Sequence, residues 1–188
     1  LEGDPVTFSL PEDGAPSVND ATIIQTNVEA RNGVIHLIDG PLLEATTVGE
    51  RVDLTSKFST LADLLRQANR RNILDETDST LPSEAPFTLL APTDAAFDGV
   101  DTNSLTDQEL RDLLDYHLVT DQRLRAADIS NNQRVVSREG AELFFGVDED
   151  GTVTINNEAT VILPDLRSTK NGVVHEIDRL LMPPSEGE

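Results

Sequence analysis

Two hydrophobic periods divide the chain, helical spacing up to about residue 118 and alternation beyond about residue 133. Leu61, Leu64, Leu65 and Ala68 fall on one stripe, so a helix is expected to begin at Thr60, with Asp63 in its first turn. Leu110, Leu113, Leu114, His117 and Leu118 form a second stripe. It follows Thr106-Asp107-Gln108-Glu109, a capping box in which the Thr and Glu side chains satisfy backbone donors of the first turn. Between the two helices, Phe87-Thr88-Leu89-Leu90-Ala91 reads as a short strand cut by Pro92, and Thr93 is placed to cap a helical turn holding Ala95, Ala96 and Phe97. Strands are expected at 134–136, 142–147, 152–155, 159–162 and 173–177, with Asp150-Gly151 as a hairpin turn. Helices first and strands later predict an α+β fold whose sheet is mostly antiparallel.

A repeat organises the chain further. Asn32-Gly33-Val34-Ile35-His36-Leu37-Ile38-Asp39 returns as Asn171-Gly172-Val173-Val174-His175-Glu176-Ile177-Asp178, identical at six of eight positions and 139 residues later. Upstream, 18–24 parallels 156–162; downstream, Leu42-Leu43 parallels Leu180-Leu181. Since 139 residues is the size of a domain, 1–44 reads as the closing segment of a preceding domain. Residues 45–52, short, polar and containing Gly49, read as a linker, 53–184 as a complete copy and 185–188 as a tail. Each Asn-Gly pair suits a tight turn.

In the strand after the second pair, Val173, His175 and Ile177 share one face and Val174 and Glu176 the other, so Glu176 should meet water. His175, between β-branched apolar residues, reads as a hydrogen-bonded core histidine. Leu37 stands where Glu176 stands in the other copy, which leaves the first-copy strand apolar on both faces and in need of cover. That cover is an upstream remainder of the first domain, the second domain of the same chain, or another molecule reached by strand addition.

Composition narrows the functions. Thirty-five acidic against 14 basic residues give a formal charge of −21, which excludes nonspecific binding of phosphate backbones and so argues against a nucleic-acid partner. No apolar run approaches the roughly 18 residues of a membrane span. The absence of cysteine removes disulfides, thiolate metal sites and cysteine nucleophiles. The basic residues are twelve arginines and only two lysines, Lys57 and Lys170. A lysine-poor acidic surface fits a saline habitat, and fits equally an arginine-preferring genome with an ordinary acidic surface.

Candidate chemistry is sparse. His117 lies on the apolar stripe beside Tyr116; with no GxSxG elbow and no acid placed by motif to orient the ring, it reads as a core group rather than a general base. Asp148-Glu149-Asp150-Gly151 lacks the spacing of a calcium loop and reads as a turn. No catalytic residue, metal site or cofactor is assigned. The loop from Asp75 to Pro86 and the stretch 164–170 are the best candidates for contacts.

Phe87 to Phe97, with Thr93 and Asp94, resembles the first signature of fasciclin-like domains; Tyr116-His117 resembles the family's tyrosine-histidine motif, and Asn171 to Pro183 its second signature. All three stand in the family's order. The resemblance covers about 52–184 as a whole domain and 6–44 as the tail of another, with Asn32, Gly33, His36 and Asp39 matching Asn171, Gly172, His175 and Asp178.

It implies a wedge of mostly antiparallel β-sheets packed with several helices, in secreted, periplasmic or surface-anchored proteins of adhesion and matrix contact that are not, as a rule, enzymes. It also implies partner binding near Pro164-Asp165-Leu166 and Tyr116-His117. The leading expectation is a noncatalytic extracellular interaction module with a protein or matrix partner, including self-association through 1–44. A domain that binds a small molecule or polysaccharide comes next, and a hydrolase is a weaker third reading.

Overall fold

The computed structural model describes residues 8–10, 16–18, 21–39, 46–75, 86–166 and 169–184. They divide between two compact units, Leu1–Thr46 and Thr47–Glu188. Leu42, Leu43, the middle of the 75–86 loop and the 185–188 tail lie outside the described residues.

The first unit is a sheet of β1 (Phe8–Ser9), β2 (Ser17–Val18), β3 (Ala21–Ala30) and β4 (Gly33–Ile38), antiparallel and in that order. β3 and β4 are joined by Arg31 and Asn32, and Gly33 already pairs with Ala30. The turn expected at Asn32-Gly33 therefore sits one residue earlier.

In the second unit come α1 (Val48–Leu54), α2 (Ser59–Gln67), β5 (Phe87–Pro92), α3 (Asp107–Tyr116) and β6 (Leu118–Val119). They are followed by β7 (Gln133–Val136), β8 (Glu142–Val147), β9 (Val153–Ile155), β10 (Ala159–Leu166) and β11 (Gly172–Ile177). The strands form one sheet in the order β6-β5-β11-β10-β9-β8-β7, and only the β5–β11 pair is parallel. This is the expected α+β class with a mostly antiparallel sheet. The helix at Thr106 forms with its complete capping box, and the hairpin at Asp150-Gly151 forms with Gly151 at φ 81°.

Four local expectations need correction. The segment 45–52 is no linker from residue 47 on: Thr47 and Glu50 make a capping box, and α1 buries Val48, Gly49, Arg51 and Val52. Pro92 does not cut β5 short but ends it opposite Ile177. Its neighbour β6 pairs only with Thr88 and Leu89, so the missing N–H breaks no ladder bond there. Thr93 begins a 3-10 turn at Asp94–Phe97 without a side-chain cap.

Glu176 is the fourth. It is only 2% exposed, because β11 is a central strand covered on both faces. Phe87, Leu89 and Val174 face a core with Phe58, Leu61, Leu65 and Leu110. Leu90 and Ile177 face a second core with Tyr116, Leu143, Phe145 and Ile155. A strand at a parallel junction is buried on both sides, which alternation alone does not reveal. The Glu176 carboxylate is met by Lys57 Nζ at 3.1 Å.

The sequence repeat is also a structural one. In the hairpin of β10 and β11, Val161 pairs with Ile177, Leu163 with Glu176 and Leu166 with Val174, with a register slip in each interval. In β3 and β4, Ile23 pairs with Ile38, Gln25 with Leu37 and Val28 with Ile35, with the same two slips. Asn27 (φ 58°) and Asp165 (φ 50°) occupy the same place in the second slip. Both hairpins are tied alike at their ends: the Thr22 N–H donates to Asp39 Oδ1 at 2.6 Å, and the Thr160 N–H to Asp178 Oδ1 at 2.7 Å.

Candidate functional site

The signature residues act first as structural ties. Asn171 accepts from the Val48 N–H at 2.8 Å through Oδ1, donates from Nδ2 to the Leu74 carbonyl at 2.8 Å, and accepts the Phe87 N–H on its own carbonyl at 2.8 Å. One residue thereby fixes α1 and the turn at Ile73–Asp75 through its side chain and the start of β5 through its carbonyl. Gly172, beside it, has no positive φ; it is needed because a Cβ there would stand 2.5 Å from the Phe87 carbonyl oxygen and 2.8 Å from Val48 Cγ2. Asp94 caps α2 from a distant segment, accepting from the Thr60 N–H at 2.8 Å and Ser59 Oγ at 2.7 Å. Burial raises its pKa, but these hydrogen bonds outweigh that and leave the carboxyl below its usual range.

His175 is buried on β11. Its Nε2 donates to the Leu124 carbonyl at 2.7 Å, and its Nδ1 accepts the Asp165 N–H at 3.2 Å. Burial lowers the pKa of this ring, against smaller opposing effects of the Leu124 carbonyl and the Asp165 charge. Asp165 in turn accepts the Ala126 N–H at 3.0 Å. His175 and Asp165 thus clamp the 124–126 loop onto the sheet.

His117 ends α3, with Nδ1 donating to the Leu113 carbonyl at 2.8 Å and Nε2 accepting the Leu181 N–H at 3.0 Å. Burial pushes its pKa down to about 4, so the ring is neutral at physiological pH. The Tyr116 hydroxyl donates to the Glu142 carbonyl at 3.2 Å and accepts from Asn156 Nδ2 at 2.8 Å. Asp115 completes this corner, held by Arg70 at 2.8 Å and Arg138 at 2.7 Å.

The residues expected to bind a partner lie as follows. Tyr116 and His117 are buried with their polar atoms occupied. Of Pro164-Asp165-Leu166, which belong to β10 rather than to a free connection, only Pro164 is exposed. Asp165 is half-buried in its clamp, and Leu166 packs on the helical core. The His117 carbonyl accepts the Leu90 N–H at 2.9 Å, and Leu90 is the register partner of His175, yet the two rings serve different loops. Sequence reasoning missed the neighbouring surface. Ile162 is 49% exposed and Leu163 43%, and with the exposed Pro164 they put three consecutive apolar residues of β10 at the surface, a rim of that strand. A run of Val-Ile-Leu-Pro ahead of the acidic residue was its signal. No helix among the described residues is long and apolar enough to cross a membrane.

The sequence profile of the Fasciclin domain matches residues 1–44 and 56–183. The chain belongs to the fasciclin family. It is 31% identical over 178 residues to the transforming growth factor-beta-induced protein ig-h3 of Oryctolagus cuniculus, a match covering 92% of this chain and 25% of that protein. A protein of Synechocystis sp. is 33% identical over 147 residues, covering 74% of this chain and 75% of its own length. The chain therefore spans about a quarter of its animal relative but most of its bacterial one. Among solved structures, a FAS1 domain pair from the insect cell adhesion molecule fasciclin I matches with a TM-score of 0.63 and 22% identity, covering 95% of this chain and 67% of that one. At that identity the match shows the fold.

Proposed function

We propose that this fasciclin-family chain is a noncatalytic adhesion module, acting outside the cell or at its surface, in which residues 1–44 close one fasciclin-like domain and the second unit forms the next. The observation that carries this reading is how the polar core is used. The three buried rings Tyr116, His117 and His175 are spent on internal hydrogen bonds that pin loops to the sheet, as in a rigid scaffold whose surface does the binding. Likeness to a domain pair from a cell adhesion molecule supports the same reading, and the matching registers of the two hairpins support the tandem arrangement. The contact surface is the Ile162-Leu163-Pro164 rim, and Asp165 supports it from behind. Beads coated with the chain should retain cells or matrix of the producing organism. Ile162→Asp should reduce retention while leaving thermal unfolding unchanged, since surface substitutions typically stay within about 0.5 kcal/mol. Equal retention by uncoated beads would overturn the adhesion reading, and unaltered retention by the variant would remove the rim from it.

A further inference from the structure

A chain of hydrogen bonds holds the loop between β6 and β7 to the sheet. Thr88 Oγ1 donates to the Gln122 carbonyl at 2.9 Å and accepts the Leu124 N–H at 2.8 Å. These are neutral groups, indifferent to pH. Further along, His175 Nε2 donates to the Leu124 carbonyl at 2.7 Å and Asp165 accepts the Ala126 N–H at 3.0 Å. This second part of the attachment depends on a single proton. The buried His175 ring has opposite roles at its two nitrogens, since Nε2 gives a hydrogen to a carbonyl while Nδ1 takes one from the Asp165 N–H at 3.2 Å. Both partners are backbone groups, so neither can reverse its role. A proton on Nδ1 would set an N–H against an N–H. The charge that acts on the ring is the Asp165 carboxylate. Among the other elements packed there, β5 has no titratable side chain, and on the loop Arg125 and Asp128 are exposed while Arg123 turns to the Lys170 carbonyl at 3.1 Å. Glu176, the next residue of β11, meets Lys57 instead.

We infer that His175 and Asp165 form an acid-operated latch on this loop. A proton taken from water onto Nδ1 expels the Asp165 N–H and draws the Asp165 carboxylate off the Ala126 N–H toward the imidazolium. The segment 125–129 then comes away from the sheet, hinged at the Thr88 contacts, while the rest of the domain stays folded. The proton returns to water as the pH rises, and the latch closes. Opening uncovers one end of the second core, where Leu124 and Ile129 are each 8% exposed. The device is separate from His117, whose ring serves the Leu113 carbonyl and the Leu181 N–H on other segments.

Amide protection in the full chain reads the opening, with exchange rates corrected for their intrinsic dependence on pH. Each pH unit below the ordinary histidine value of about 6.5 favours the open, protonated form about tenfold, for as long as the closed ring stays neutral. Protection at Ala126 and Asp165 should therefore fall by about tenfold or more from pH 7 to pH 5. It should be indifferent to low urea, because a local opening exposes little surface. His175→Gln keeps a donor for the Leu124 carbonyl and an acceptor for the Asp165 N–H but takes up no proton, so its protection should hold over that range. His117→Gln should leave the fall at Ala126 in place. Asp165→Asn tolerates the same left-handed backbone and keeps an oxygen for Ala126 without the charge, and should move the fall to lower pH. Ring-nitrogen NMR shifts of His175 should report the cation over the interval in which Ala126 opens. The proposal is overturned if protection at Ala126 is unchanged between pH 7 and pH 5, or falls only with urea-sensitive unfolding of the whole domain. It is equally overturned if His175→Gln shows the same fall as the unmodified chain, or if the ring is still neutral where the loop has opened. Should His175→Gln fail to fold, a fall that Asp165→Asn does not move overturns it. None of these outcomes depends on the Ile162 rim, so adhesion and the latch fail separately.

Discussion

At Asp165 a left-handed backbone, φ 50°, lets one residue offer its N–H to His175 and its carboxylate to Ala126. Few side chains tolerate that conformation, Asn and Asp foremost among them, which is why the equivalent slip in the first hairpin is filled by Asn27. The two buried histidines carry a pH consequence. His117 has its pKa depressed to about 4 by burial, below the ordinary value near 6.5 that it regains on unfolding. Between those two values the unfolded chain binds the proton and the folded one does not, so stability falls as pH drops from about 6.5 toward 4. His175, shifted in the same direction, adds to the loss. Asp94 and Glu109, whose carboxyls sit below their usual range, act only at lower pH. Unfolding free energy measured with urea should drop by about 2 kcal/mol from pH 7 to pH 5 for His117 alone, at 1.36 kcal/mol per pKa unit. In His117→Gln, less stable at pH 7, the drop should shrink. Equal values at pH 5 and 7 in the unmodified chain would show that neither ring is held neutral.

Among elements, the β5–β11 pair decides the fold, and it is also where the sequence was hardest to read. Helix α3 was legible because its stripe and its Thr-x-x-Glu box agree, and the four C-terminal antiparallel strands because turn residues bound alternating runs. The same Thr-x-x-Glu spacing stands at Thr47-Val48-Gly49-Glu50, yet Gly49 and a short polar stretch read as linker. In the structure that glycine makes room for the Arg71 guanidinium. For β11, period two predicted a wet face at Glu176, because nothing local announces that a strand 85 residues away will pair in parallel and bring helices onto it. The family signatures were visible as motifs, but their roles as cap, staple and clamp depend on partners remote in sequence. Gly172 shows this best. An Asn-Gly pair suggests a turn, whereas the structure uses the missing Cβ for close approach of two backbones. Gly172→Ala should therefore destabilise by about 1–3 kcal/mol, the range for overpacking a core that must shift backbone. Gly33→Ala, with open space around it, should change stability by no more than about 0.5 kcal/mol. Equal costs from calorimetry would mean that both glycines are kept for their conformation after all.

For the whole molecule the governing quantity is a formal charge of −21 on 188 residues. Arginine is deployed to neutralise carboxylates in pairs: Arg66 reaches Asp53 and Asp63, Arg71 joins Asp53 to Asp75, and Arg70 and Arg138 share Asp115. With 14 basic residues against 35 acidic ones, negative charge is in large excess, and its mutual repulsion opposes the compact state. Salt acts on this repulsion through the screening length, about 8 Å at 0.15 M and about 3 Å at 1 M. The exposed ion pairs weaken over the same range, but each contributes at most about 1 kcal/mol, against the repulsion of a net charge of −21. The contacts of Arg70 and Arg138 with Asp115, in which both side chains are largely buried, are screened least. The net expectation is that the melting temperature rises with NaCl from low ionic strength. A rise that levels off by about 0.5 M, once screening has shortened to a few ångströms, is the mark of an ordinary acidic surface. A rise that continues beyond 1 M requires salt to act on hydration of the carboxylate layer as well, and would support the saline-habitat reading of the lysine-poor composition. A melting temperature that is flat or falls from the lowest salt upward would show that the arginine pairs already balance the charge that matters to folding.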